Sequence, residues 1–163
     1  MLKTRLLIAN TCYHVMARGN QQQNIFLEID DFNFYLHQLK HYKRKYKILL
    51  YSYCLMPNHI HLIVEPLNPE KLSKFMQGLQ RSYTAYFNEK YEKVGHLWQG
   101  RFKAKIISKD EYLINVITYV EYNPVKANIV KHPQDYIFSS YRERSSHQKT
   151  KRKLIDPLLI PLS

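Results

Sequence analysis

Apolar positions along the chain recur at two spacings, one typical of strands and one typical of helices. Alternating apolar and polar residues predict strands over residues 11–17, 47–55, 59–65 and 101–107, with a hairpin turn between the second and the third. Apolar residues three or four positions apart predict helices over residues 30–47, from Asn68 to Tyr86, and over 108–122. The order β-α-β-β-α-β followed by one helix predicts an α+β fold. We expect a ferredoxin-like sandwich with an antiparallel sheet and an added C-terminal helix.

Two histidines lie two positions apart in the third predicted strand, in the stretch PNHIHLIVEP. Successive strand side chains point to opposite faces, so His59 and His61 share a face with Glu65, and the apolar residues between them take the other face. Two neutral imidazoles side by side form half of a divalent-metal site. A pair of ordinary structural histidines is the alternative. Glu65 is either a hydrogen-bond acceptor for an imidazole or a solvated residue at the strand end.

The last predicted helix has an apolar stripe and a polar flank. The stripe consists of Leu113, Val116, Ile117 and Val120. Tyr119 and Asn123 lie on the flank four residues apart, so their side chains can act at one point, and Tyr112 shares that flank. Tyr122 points almost the opposite way. A half-buried tyrosine and an asparagine that ends the helix before a proline are the alternative interpretations of Tyr119 and Asn123.

The charge of the chain favours a polyanionic partner. Its 25 lysines and arginines exceed its 13 acidic residues, which gives a formal net charge of +12. Aromatic residues make up 13% of the chain, and cations interleaved with rings suit unpaired nucleic acid, whose bases stack while its phosphates meet cations. We therefore predict nucleic-acid binding. A ribosome-like structural role and a basic surface without a specific partner are the alternatives.

The fourth predicted strand supplies candidate nucleic-acid contacts. Arg101, Lys103 and Lys105 point to the same side of this strand and form a possible track for phosphates. A solvated strand face is the other interpretation of these cations. Trp98, just before them, either stacks on a base or belongs to the core.

The chain is predicted to form a single domain over residues 1–145, followed by a tail over 146–163 that is basic, then apolar, and either mobile or docked late. Two cysteines, Cys12 and Cys54, are too few for a disulfide framework, so the expected location is the reducing cytoplasm, in association with the nucleoid. The first residues hold only a short apolar stretch, far from the length of a membrane span, so no membrane partner is expected.

Four short segments, taken in order, resemble one known superfamily. They are YHVMARGN, PNHIHLIVEP, GHLWQGRFKAKII and YVEYNPVKANIV. They are similar to the first strand, the HUH motif, the segment leading into the fourth strand and the tyrosine helix of the single-tyrosine DNA transposases. The REP-associated tyrosine transposases are the branch that the chain resembles most. The resemblance extends from Cys12 to Tyr141, nearly the whole predicted domain.

This resemblance implies that His59 and His61 bind a catalytic divalent metal, Mg²⁺ or Mn²⁺, and that Tyr119 is the nucleophile. Asn123 holds the place of a third metal ligand, where some members have glutamine. The implied activity is that of a metal-dependent single-stranded DNA endonuclease and strand transferase, acting through a covalent 5′-phosphotyrosine at hairpin-flanked sites. The implied partner is single-stranded or hairpin DNA, and the implied assembly is a monomer or a homodimer.

Two other functions stay open from the sequence. A domesticated nucleic-acid-binding module would use the same basic face without cleaving DNA. A metal-dependent phosphohydrolase would need no tyrosine, but no aspartate or further histidine follows His61 at the spacing of familiar hydrolases.

Overall fold

The computed structural model describes residues 11–108, 111–145 and 152–158. Its strands are β1 (Cys12–Arg18), β2 (Ile48–Met56), β3 (His59–Pro66) and β4 (Lys103–Ile107). Its helices are α1 (Ile29–Tyr46), α2 (Lys71–Tyr91), α3 (Glu111–Glu121), α4 (Asn123–Lys126) and α5 (Tyr141–Ser145), with single 3₁₀ turns at Asn20–Gln22 and Pro133–Asp135. Within these ranges, no helix combines the length and the apolar composition needed to span a membrane.

The four strands form one antiparallel sheet in the order β2-β3-β1-β4. β2 and β3 form the predicted hairpin, and β3 also pairs with β1 so that His59 lies opposite Arg18. β4 completes the sheet on the far side of β1, where Lys105 lies opposite His14. The α+β fold and the ferredoxin-like arrangement predicted from the sequence are confirmed.

Helices cover both faces of the sheet. α1 and α2 pack against each other and cover the face that carries Ile60, Leu62 and Val64, all fully buried. α3 lies over β2 and β3 on the other face, the one that carries the two histidines. Three residues of the predicted α3 stripe are buried and Val116 is half-buried, which confirms the orientation of this helix. The sheet face that carries the histidines therefore packs against α3, and Ile63 on that face is fully buried.

Several element boundaries differ from the predicted ones, the largest shift being the end of α2, which lies at Tyr91 rather than at Tyr86. α2 begins at Lys71 rather than at Asn68, because the side-chain oxygen of Asn68 accepts the N–H of Glu70 and holds a turn ahead of the helix. β4 begins at Lys103 rather than at Arg101. Ahead of this strand, the N–H of Gln99 donates to the carbonyl of Arg18, the last residue of β1.

A buried carboxylate joins α1 to α2. Asp31 on α1 has no exposed surface, and its two oxygens accept hydrogen bonds from α2 and from the residues before α1. The donors are the N–H groups of Leu27 and Glu28, the hydroxyls of Tyr86 and Tyr91, and the ammonium of Lys90, at 2.6 to 3.0 Å. Burial opposes ionisation of Asp31, but the bonds from Lys90, Tyr91 and the two N–H groups outweigh it and lower its pKa to about 2.

The described part of the C-terminal tail, residues 152–158, is docked on the domain. Leu154 is buried, and its backbone oxygen accepts the ammonium of Lys43 at 2.7 Å. The carboxylate of Asp156 accepts from Lys43 at 2.5 Å and from the N–H of Leu50 at 2.8 Å. Apolar burial together with a charged partner on α1 holds this stretch in place. The remaining tail residues lie outside the described ranges.

Candidate active site

A cavity of about 310 Å³ brings together side chains from both halves of the chain. Its lining consists of Met16, Ala17, Arg18, His59, His61, Gln99, Arg101, Lys103, Tyr119 and Asn123. Four of these are the predicted metal ligands and nucleophile, and two more belong to the predicted track of cations. The strand pairing of β1 with β3 and β4 supplies the floor, and the end of α3 supplies one wall.

His61 is held in place through one ring nitrogen, which leaves the other without a partner. Its Nδ1 lies 2.9 Å from Nε2 of His14 on β1. Its Nε2 is buried and has no hydrogen-bond partner among the residues described. When Nδ1–H donates to His14, Nε2 carries the lone pair that a metal ion requires. Buried polar atoms normally have partners, so an orphaned nitrogen at a cavity wall fits a ligand position.

His59 is oriented by its neighbour in the β2–β3 turn. Its Nδ1 lies 2.6 Å from Oδ1 of Asn58. An amide oxygen only accepts hydrogen bonds, so Nδ1 carries the hydrogen and Nε2 carries the lone pair. The ring centroids of His59 and His61 are 4.9 Å apart. Two imidazoles at this spacing can offer their lone pairs to one ion.

The surroundings keep all three imidazoles neutral at physiological pH. Burial, and then the positive charge of Lys105, lowers the pKa of His14 to about 4. Burial, and then the neighbouring His59, His14 and Arg18, lowers the pKa of His61 to about 3. Burial and the nearby Arg18 also lower the pKa of His59. Neutral imidazole is the form that ligates a metal ion, and the form in which His14 can accept from His61.

Tyr119 enters the cavity from α3. Its ring centroid lies 6.4 Å from that of His61 and 6.4 Å from that of His14, and its side chain is 45% exposed, so a substrate can reach it. The ammonium of Lys126 lies 4.6 Å from the centre of the same ring, a cation–π contact. Tyr112 and Tyr122 are outside the set of lining residues. The geometry therefore favours Tyr119 as the candidate nucleophile.

Asn123 lies one turn after Tyr119, where α3 has ended and α4 begins. Its Nδ2 lies 3.4 Å from the backbone oxygen of Tyr119 and 3.5 Å from that of Val120, so it caps the C-terminal end of α3. These bonds occupy the amide nitrogen and leave Oδ1, the atom that can ligate a metal ion. The Asn123 side chain can therefore end the helix through its amide nitrogen and ligate a metal ion through its amide oxygen.

A second buried carboxylate fixes α3 to the sheet. Oε1 of Glu121 accepts the hydroxyl of Ser140 at 2.6 Å, the hydroxyl of Ser52 on β2 at 3.3 Å, and Nε of Arg144 at 3.0 Å. Glu121 follows Tyr119 by two residues, so this anchor sets the position of the tyrosine relative to the histidines on β3.

Positive side chains surround the cavity. Arg101 and Lys103 line it, and so does Arg18, which the sequence analysis did not single out. Lys105 lies beyond the cavity, across from His14 in the β1–β4 ladder. The predicted phosphate track therefore has two of its three cations at the site.

Trp98 lies in the core rather than on the surface. Its indole Nε1 donates to the backbone oxygen of Gln80 at 3.3 Å, and its ring packs near Tyr35 and Tyr83. Only 9% of the residue is exposed. Of the two interpretations of Trp98, the structure favours the core position over base stacking, because most of the ring face is already covered.

Glu65 is buried, so the solvated interpretation of this residue is wrong. Its carboxylate accepts the hydroxyl of Tyr51 at 2.5 Å and lies 3.9 Å from the thiol sulfur of Cys12. These contacts tie β3 to both neighbouring strands.

The donor atoms fit a divalent metal ion. Two imidazole nitrogens and one amide oxygen suit Mn²⁺ or Mg²⁺ and leave coordination positions for phosphate and water. Across residues 11–108, 111–145 and 152–158, no group of three or more histidine, cysteine, aspartate or glutamate side chains is arranged to hold a metal ion. Asn123 and Gln99 are the lining residues that carry an amide oxygen, and Asn123 is the one that follows Tyr119 by four residues.

Besides Arg18, three residues at or beside the site were not predicted from the sequence. His14 had no motif partner, and only the β1–β3 register brings it to His61. Lys126 lies on α4, after the helix that carries Tyr119 has ended, so helical spacing did not link the two residues. Glu121 is a charged residue beside an apolar stripe, and its burial depends on hydroxyl partners that are distant in sequence.

The chain is similar in sequence to known transposases. Residues 8–123 match the family model for IS200-like transposases. A Haemophilus influenzae protein with the provisional name REP-associated tyrosine transposase is 33% identical over 99 residues, which are 54% of this chain and 56% of that protein. The matched region thus spans little more than half the length of this curated relative.

Solved structures share the fold. A REP-associated tyrosine transposase bound to a REP hairpin has a TM-score of 0.76, with 18% identity, over 96% of this chain and 94% of that chain. A protein of Deinococcus radiodurans R1, provisionally named a transposase, has a TM-score of 0.50 with 16% identity, over 74% of this chain and 96% of that chain. At these identities the likeness concerns the fold alone.

The family match covers more than two thirds of the chain and includes the histidine pair, Tyr119 and Asn123. The resemblance to REP-associated tyrosine transposases predicted from the sequence is thereby confirmed. The chain belongs to the IS200-like transposase family.

Proposed function

We propose that the protein is a metal-dependent endonuclease and strand transferase of single-stranded DNA, with Tyr119 as its nucleophile. Family membership supports a transposase-like protein that processes DNA. The observation that carries the finer proposal is the meeting of Tyr119 with His59, His61 and Asn123 in one cavity that is ringed by cations.

The proposed reaction exchanges one phosphoester bond for another. The phenolic oxygen of Tyr119 forms a bond to phosphorus, and the bond from phosphorus to the 3′ oxygen breaks. The protein keeps the 5′-phosphate as a phosphotyrosine, and the released strand ends in a 3′-hydroxyl. The phenol gives its proton to solvent, and the leaving 3′ oxygen takes a proton from solvent. A later 3′-hydroxyl attacks the phosphotyrosine, which rejoins the DNA and restores Tyr119.

Each part of the site supports one requirement of this chemistry. His59, His61 and Asn123 would hold the Mg²⁺ or Mn²⁺ ion, which when bound neutralises charge on the non-bridging phosphate oxygens. The cations that line the cavity bind the strand through its phosphates; they are Arg18, Arg101 and Lys103. The anchored end of α3 holds the tyrosine against the histidine floor, and an oriented nucleophile reacts much faster than a mobile one.

We infer that the substrate is single-stranded DNA beside a hairpin. The solved relative of similar fold was bound to a REP hairpin, and the net charge of +12 supports a polyanionic partner for this chain. The proposed acting assembly is a monomer or a homodimer. A nucleoid substrate in a reducing cytoplasm is consistent with Cys12 and Cys54, which are buried and form no disulfide with each other.

Covalent trapping tests this function. The protein is incubated with 5′- or 3′-labelled hairpin DNA carrying unpaired flanks and Mn²⁺, then run on a denaturing gel. We expect an adduct that carries the label on the 3′ side of the cut and disappears on chelation of the metal. Tyr119→Phe should abolish the adduct and retain DNA binding, whereas the matched variant Tyr112→Phe should retain both.

Other outcomes would assign another function. Loss of the adduct in Tyr112→Phe alone would make Tyr112 the nucleophile. Cleavage without any adduct would favour a phosphohydrolase. Binding without cleavage would favour a non-catalytic DNA-binding module.

A further inference from the structure

A second and larger cavity, of about 730 Å³, adjoins the first. Gln80 and Arg81 on α2 form one wall, and Leu97, Trp98 and Arg101 from the segment before β4 form the other. Arg101 lines both cavities, so a strand that passes this side chain can enter either one. The function proposed above makes no use of this second cavity.

The wall shared by the two cavities is fixed to the core. The indole of Trp98 donates to the backbone oxygen of Gln80, and the N–H of Asn20 donates to the carbonyl of Leu97 at 2.8 Å. Gly100 has φ +65°, a left-handed conformation that favours glycine, and it turns the chain between Gln99 in the first cavity and Arg101. The second cavity is therefore a preformed recess.

The chemistry of the recess suits one nucleotide. Arg81 and Arg101 provide two guanidinium groups for phosphate, and no acidic residue is present among the described residues that line the recess. Gln80 lines the recess as well, and its Nε2 is buried without a hydrogen-bond partner in the described part of the chain. An amide can pair with the edge of a nucleobase, and a recess of this size is within the range that holds small ligands.

We propose that this recess binds one unpaired nucleotide of the DNA strand next to the cleaved phosphodiester. Arg81 and Arg101 contact its phosphates, and the Gln80 amide pairs with its base. A base inside a duplex cannot enter such a recess, because stacking and pairing hold it in the helix. The recess would thus select strands that are single-stranded beside the cut. This inference rests on the proposed function, since it deepens the description of the same substrate.

An abasic scan tests the recess. The DNA is a hairpin with unpaired flanks, and each flank nucleotide in turn is replaced by an abasic one. Dissociation constants are measured by fluorescence anisotropy in EDTA, which prevents cleavage. We expect one flank position at which loss of the base weakens binding to the natural chain by about three- to tenfold, the size of one lost hydrogen bond with some lost contact.

The matched variants assign that effect to the recess. In Gln80→Ala the penalty at that position should vanish, because the amide that senses the base is gone. Arg81→Ala should weaken binding of the intact strand by more than Arg44→Ala, which removes an equal charge from the exposed side of α1. Arg81 is exposed, so its variant keeps the test valid even if Gln80→Ala unfolds.

The inference is overturned if no flank position is sensitive, or if the sensitivity is the same in Gln80→Ala and in the natural chain. Equal effects of Arg81→Ala and Arg44→Ala would overturn it too. These readouts need no covalent chemistry. A sensitive position together with failure to form any adduct would contradict the proposed cleavage alone.

Discussion

Removal of the His14 imidazole probes how the metal site is organised. His14 is not among the residues that line the cavity, but its Nε2 accepts Nδ1–H of the lining residue His61 across the β1–β3 ladder at 2.9 Å. That bond selects the tautomer of His61 with its lone pair on Nε2. We predict that His14→Ala weakens Mn²⁺ binding although no ligand atom is lost.

The magnitude follows from burial. Both rings are at most 9% exposed, so water cannot easily replace the missing acceptor. Without a bound ion, His61 can move its proton to Nε2 and relax, whereas the metal-bound form must keep an unpaired Nδ1–H. An unpaired buried donor costs about 1–3 kcal/mol, and loss of a partner behind a ligating histidine typically weakens metal binding by about 10- to 100-fold. We expect a Kd for Mn²⁺ raised within that range.

Isothermal titration calorimetry of the full chain with Mn²⁺ measures this effect directly. His14→Gln places an amide oxygen near the former Nε2 and should recover most of the affinity. His41→Ala, which removes an exposed histidine from α1, should bind Mn²⁺ like the natural chain. Thermal unfolding of each variant controls for misfolding. An unchanged Kd in folded His14→Ala, or equal losses in the alanine and glutamine variants, would refute this account of His14.

Three further predictions concern the charges around the site and the core. Lys126→Ala removes the ammonium beside the Tyr119 ring and should slow adduct formation by about tenfold, with DNA affinity changed far less. Single-turnover gels measure this rate, and an unchanged rate would exclude a role of Lys126 in the reaction of Tyr119. Glu121→Gln should lower the free energy of unfolding by about 1–3 kcal/mol, because it leaves Arg144 without its charged acceptor; a denaturant titration checks this value. The Asp31 carboxyl has a lower pKa in the folded protein than in the unfolded chain. Its contribution to the free energy of unfolding, about 2 kcal/mol, is therefore present above pH 4 and is lost as the pH falls toward 2. Asp31→Asn should remove that acid-dependent loss, and an identical pH profile for the variant would contradict the assignment.

The sequence predicted the fold because its local patterns were strong and agreed with one another. Alternation in HIHLIVE, broken at Ile63, and helical spacing along α1 and α3 leave few other arrangements. The predicted element boundaries were wrong where tertiary contacts determine at which residue an element begins. The start of β4 depends on Gln99 pairing with β1, and the docked tail depends on an ion pair between Lys43 and Asp156, which are far apart in sequence.

The predicted part of the site consisted of residues with short-range spacing. His59 and His61 share one strand face, and Tyr119 and Asn123 share one helix flank, so local geometry and family resemblance sufficed for them. His14 required the register of β1 against β3, which side-chain patterns do not encode on their own. Trp98 was open between two interpretations because burial of a tryptophan depends on what packs over it, here Tyr35 and Tyr83.

Mapping the covalent attachment tests the central claim most directly. The adduct formed with Mn²⁺ and a flanked hairpin is digested with nuclease and protease, and the modified peptide is sequenced by mass spectrometry. The account predicts a 5′-phosphorylated nucleotide remnant on the phenolic oxygen of Tyr119. A remnant on another side chain, or cleaved DNA from which no protein-bound phosphate can be recovered, would contradict it.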